Sequence, residues 1–207
     1  MDSNPQAEAA EFPGVDPLRL RAVRLATAGF YLSRLLMEQP DSEMIRRFTG
    51  DMSKTWPLDD PESRAALELI EESADSHWEI GEDYQNLFVH IAVPVLETDG
   101  DFVVGDSGSL ASLYSEHKFT PAQGGRAPLA HIGIKLGFLA SLATRATDVE
   151  TCAAIESFRE SRFDAHAAAV LDAIGKNAQT GTYQGIARLT SSMLVQLGQH
   201  TAGVLES

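Results

Sequence analysis

Gly105-Asp106-Ser107-Gly108 is the setting in which a trypsin-like protease presents its nucleophilic serine, so Ser107 is the first residue to weigh as chemistry. A serine nucleophile needs a base to take its proton, a group to orient that base, and backbone donors for the oxyanion. The trypsin-like version builds these on a β-barrel. Here Leu110, Leu113 and Tyr114 come next at the i, i+3, i+4 spacing of a buried helix face, and Ser109 replaces the glycine that would close the protease pattern. That period favours a helix N-cap, with Asp106 or Ser107 accepting from the free N–H groups of the first turn. A serine hydrolase using Ser107 is the alternative.

Other reactive-looking stretches lack parts that their chemistry requires. From Glu97 the alternating acids of "ETDGDFVVGDSG" hint at a calcium loop, but Phe102 holds the glycine position and Gly108 that of the bidentate glutamate. A polar turn is expected. The histidines at 77, 90, 117, 131, 166 and 200 include no His-x-x-x-His and join no carboxylate at a recognised ligand spacing, so neither a metal site nor a cofactor is expected. "AQGGRAP" is glycine-rich but lacks the Lys-Ser/Thr ending of a phosphate loop, and reads as a flexible connector. No catalytic set emerges, and the chain reads as a non-enzyme.

The elements that must position any site are helical. Asp16-Pro17 pairs an N-cap with proline at the first helical position, and Leu18, Ala22, Leu25, Gly29, Leu32 and Leu36 then recur in steps of four and three until Pro40. Asp41 and Ser42 can cap a short helix carrying Met44, Ile45 and Phe48. Asp60-Pro61 opens a third helix with Leu67, Ile70, Ala74 and Trp78 on one face, and Tyr84, Leu87, Phe88 and Ile91 continue helically past Gly81. Leu129, Ile132, Leu136, Leu139 and Ala143 make another stripe. Thr147-Asp-Val-Glu150 is a capping-box pattern before Ile155, Phe158, Phe163, Ala167, Val170 and Ile174. The last helix carries Ile186, Leu189, Met193 and Leu197, and only "DFVV" resembles a strand. The expected class is all-α: a flexible tail over 1–15 and one all-helical domain over 16–207.

Bulk properties narrow the partners. The 207 residues carry 30 acidic against 16 basic side chains, a net charge of −14, which repels nucleic acid and anionic lipid and attracts cationic partners. One cysteine, Cys152, excludes an internal disulfide and fits a reducing compartment. No apolar run is long enough to span a membrane, and the acidic start has no signal-like apolar region. A cytoplasmic protein without stable membrane insertion is expected.

Several segments, taken in order, resemble the TorD/DmsD/NarJ-like family of molybdoenzyme maturation chaperones, the redox enzyme maturation proteins. Tyr84-Gln-Asn-Leu87-Phe88 is similar to that family's aromatic-x-x-Leu-Phe signature, with Pro94 left of a proline-containing segment. "VVGDSGSLASLYSEHKF" resembles its Gly-x-x-Ser/Thr turn and the helix after it, and Pro128 and His131 match its Pro-x-Asp-His motif. "RFDAHAAAV" and "TGTYQGIARLT" resemble its last two helices. The likeness runs from about Ala22 to Leu197. Three departures stand out: Ala130 replaces the motif's acid, "PVLETDGDF" shortens the proline segment, and Val170 stands where tryptophan is frequent.

The resemblance implies a single-domain TorD-type helical bundle that binds the twin-arginine signal peptide or apo catalytic subunit of a molybdenum-cofactor oxidoreductase. It would assist cofactor insertion and assembly before export, as a monomer or homodimer. Client-peptide contacts are then expected at Tyr84, Leu87, Phe88, Pro94, Pro128 and His131. A negative field would speed encounter with an arginine-bearing peptide, while aromatic and leucine side chains suit its apolar stretch. Leu87 and Phe88, a Leu-Phe pair at helical spacing, read more readily as core than as binding surface, and His131 equally as a capping or solvated residue. A helical adaptor or regulator with an acidic binding surface is the competing binding role.

Overall fold

Asp16 sets the start of α1 (Pro17–Met37) by accepting from the Leu18 N–H at 3.1 Å, and Pro17 contributes no N–H in need of a partner. The same device recurs. Asp41 caps α2 (Ser42–Thr49) through the Met44 N–H, and Asp60 caps α3 (Pro61–Ser73) through Ser63. The computed structural model describes residues 14–50, 54–90, 93–99, 107–121 and 128–207. Ile91, "DFVV", Gly105, Asp106 and Ala122–Ala127 lie outside the described residues, as does the side chain of Ser107.

The third helix is shorter than its apolar pattern implies. It stops at Ser73 because Ala74 turns into the left-handed region at φ 48°, and Ser76 and Glu79 then open α4 (His77–Tyr84) with a reciprocal capping box. Trp78 therefore leaves the face of Leu67 and Ile70 and stands 74% exposed. Gly81 interrupts nothing: α4 runs through it into a π-helical turn, Gln85–Val89.

Farther on, α5 (Ser107–Glu116) buries Leu110 and Tyr114 and half-buries Leu113, as its spacing implies. α6 (Ile132–Ala143) differs from a one-sided stripe: it is buried almost all round, Lys135 included. α7 (Val149–Phe158) is capped by Asp148 accepting from Thr151 N–H at 2.8 Å, one residue beyond the Thr147 cap read from the sequence. A second π turn, Arg159–Phe163, leads into α8 (Asp164–Asn177), and α9 (Gly181–Leu205) closes the order with Ile186, Leu189, Met193 and Leu197 inward.

The fold is all-α, and among the described residues only an isolated antiparallel bridge joins Leu96 to His131. The buried apolar side chains form one connected cluster, in which α6 packs on α1, α7 and α8, and α9 on α1, α3, α7 and α8. α1 and α6 approach closely because small residues face each other. A Cβ on Gly133 would sit 2.9 Å from the Ser33 carbonyl oxygen, and one on Gly29 would sit 2.9 Å from Ala140 Cβ. Ser33 Oγ donates to the Gly133 carbonyl at 2.7 Å across that crossing. No helix among the described residues is long and apolar enough to cross a membrane.

Candidate functional site

Two stretches distant in sequence, Tyr84–Asp99 and Pro128–Lys135, meet through backbone bonds. Val93 N–H donates to the Leu87 carbonyl at 3.1 Å, and Ile132 N–H to the Val95 carbonyl at 2.8 Å, beside the Leu96–His131 bridge. The π turn sets the first stretch, with His90 N–H reaching back five residues to the Gln85 carbonyl. Such turns add a residue to the helix and redirect the chain beyond it.

Leu87 is fully buried, a core position. Tyr84 and Phe88 are half-buried and pack as tilted rings with centroids 5.1 Å apart, each also against Tyr183 of α9, at 6.4 and 5.5 Å. The Tyr84 hydroxyl donates to the Met37 carbonyl at 3.1 Å, tying α4 to the end of α1. Pro94 is half-buried and Pro128 exposed, its carbonyl accepting from His131 N–H at 2.9 Å. His131 caps α6: its Nδ1 accepts from Gly133 N–H at 3.1 Å, so Nε2 carries the proton. Burial, then the neighbouring His166, pushes its pKa down to about 4.

Beneath this surface lies a polar cluster that no spacing rule picked out. Lys135 Nζ donates to Glu97 Oε1 at 2.5 Å, both side chains buried, and also meets His166 Nδ1 at 3.2 Å. His166 Nε2 reaches the Pro94 carbonyl at 2.8 Å; a carbonyl only accepts, so the proton is on Nε2 and Nδ1 is the acceptor for the ammonium. Burial above all, and Lys135 besides, lower the His166 pKa; burial also lowers that of Lys135, opposed by Glu97. Glu97 Oε2 and Arg162 Nη1 are buried without a hydrogen-bond partner among the described residues, while Arg162 Nη2 donates to Ser109 Oγ. Tyr114 donates to the Leu129 carbonyl at 3.1 Å, and burial reinforced by the Glu97 charge raises its pKa.

The polar turn expected at Glu97 is a 3-10 turn, Glu97–Asp99, whose first residue faces inward as half of an ion pair. One signal was available: Lys135 is the lone charge in "IGIKLGFLASLA", and a buried cation requires a partner. Chemically the cluster clamps Val93–Asp99 onto α6 and α8; with Glu97, Lys135 and His166 each at most 2% exposed, it presents no reactive group to solvent. Among the described residues no three His, Cys, Asp or Glu side chains are grouped to hold a metal.

Fold and site together define an all-helical protein whose half-buried aromatic and proline surface is backed by a buried Glu–Lys–His clamp. No family model and no curated protein matches the chain.

Proposed function

We propose that the protein is a cytoplasmic chaperone of the TorD/DmsD/NarJ-like type, binding the twin-arginine signal peptide or apo catalytic subunit of a molybdenum-cofactor oxidoreductase. The observation that carries this reading is spatial: the aromatic-x-x-Leu-Phe-like segment at Tyr84–Phe88, the Pro94 segment and the Pro128/His131 segment are bonded to one another. Tyr84, Phe88, Pro94 and His131 stay half-buried, and Pro128 exposed, which leaves apolar and aromatic surface for a peptide. The net charge of −14 favours encounter with an arginine-bearing client. Calorimetric titration with a twin-arginine signal peptide tests the reading. The expected result is nanomolar to micromolar affinity that weakens as salt is raised from low to physiological. Absence of binding to any such peptide and to apo molybdoenzyme subunits would remove it.

A further inference from the structure

Trp78 is the most exposed large apolar side chain among the described residues, at 74%. It sits in the first turn of α4, where the flanking cap residues already satisfy the backbone, so neither packing nor capping accounts for an indole there. Beside it Asp75, Glu79, Glu82 and Asp83, with Gln179 and Thr180, line a cavity of ≈ 150 Å³. None of the four carboxylates is ion-paired among the described residues. Two have structural duties. Asp75 accepts from Ser73 and Thr182, and Asp83 from Gln179 N–H and Thr180. Glu79 accepts from Ser76 N–H, whereas Glu82, one turn beyond Trp78, is exposed and its carboxylate has no partner among the described residues.

We propose that this Trp78 face, with Glu79 and Glu82 at its edge, is the docking surface for an arginine side chain of a peptide ligand. An indole ring attracts a cation at its face, and a planar guanidinium can lie on it while its N–H groups reach a carboxylate sideways. An ammonium is more strongly hydrated and cannot stack in this way. The docking surface rests on the chaperone reading for the identity of the ligand, and on Trp78 and the carboxylates for its place.

Two probes separate the claims: a short peptide with adjacent arginines and no apolar stretch, and a full twin-arginine signal peptide. Trp78 reports binding through a change in its emission, because the other tryptophan, Trp56, is buried against Tyr31 and Phe48 and contributes a constant background. Both peptides are expected to shift that emission. By calorimetric titration, which needs no tryptophan at the site, Trp78→Ala and Glu82→Gln should each weaken the signal peptide about fivefold or more, and lysine in place of both arginines should do the same. Equal binding of the signal peptide by wild type, W78A and E82Q overturns the docking surface and leaves the chaperone reading intact. Binding of the short peptide at Trp78 without any binding of signal peptides leaves the surface and removes the chaperone reading. Binding of neither removes both.

Discussion

Replacing Lys135 by Met removes the cation bonded to Glu97 while roughly keeping the volume of a fully buried side chain at the centre of the core. The Glu97 carboxylate then stays buried with one more unsatisfied oxygen, and His166 Nδ1 loses its donor. Removing one partner of a buried ion pair costs about 3–5 kcal/mol, because the remaining charge is left without compensation. For a chain of this length that lowers the melting temperature by roughly 6–20 °C, at about 2–4 °C per kcal/mol. Thermal and urea unfolding monitored by circular dichroism measure it. The double variant Glu97→Met/Lys135→Met takes both charges out of the core and is expected to regain at least half of the loss, since apolar replacement of a whole buried pair is often neutral. A K135M protein within about 0.5 kcal/mol of wild type, or a double variant whose loss is the sum of the two single losses, would refute the clamp.

The same geometry fixes four further outcomes. His131 has a folded pKa of about 4, below its ordinary 6.5, so the neutral form is the folded one: its contribution is present above pH 6.5 and is lost as pH falls towards 4. Urea midpoints should decline across that window, and His131→Asn, which keeps an acceptor for Gly133 N–H, should flatten the decline. Gly133→Ala places a Cβ against Met37 and the Ser33 carbonyl, so calorimetry should show a loss of about 1–3 kcal/mol; an unchanged melting temperature would mean that the α1–α6 crossing has room to spare. Asp83→Ala strips the acceptor from Gln179 N–H, Thr180 N–H and Thr180 Oγ1, and should cost about 1–3 kcal/mol in denaturant unfolding. Trp78→Ala should stay within about 0.5 kcal/mol of wild type in the same assay, because its side chain is 74% exposed.

The helix starts were legible because their cause is local: Asp16-Pro17 and Asp60-Pro61 carry both the capping carboxylate and the proline that begins a helix. The inward faces of α8 and α9 were legible for a similar reason, since 3.6-residue periodicity records burial directly. What escaped depends on partners far along the chain. Ala74 in the left-handed region is a break that a residue of high helix propensity does not announce, and it moved Trp78 from a core stripe to the surface. Thr147 and Asp148 are both good caps, and only the observed bond to Thr151 decides between them. Lys135 lies 38 positions from Glu97 and 31 from His166, so their meeting is a property of the packed chain, although Lys135 in an otherwise apolar helix announced that a partner had to exist. Tyr84 and Phe88 did come together as the spacing required, with Tyr183 from α9 as a third ring that no local pattern could supply.

The most direct test of the proposed role is amide hydrogen exchange on the full chain with and without a saturating twin-arginine signal peptide. A chaperone that seats its client on this surface should show slowed exchange over residues 77–90, 93–99 and 131–135, where the aromatic surface, the clamped segment and the start of α6 converge. Slowed exchange confined to other parts of the bundle, or none at all at saturating peptide, would contradict it.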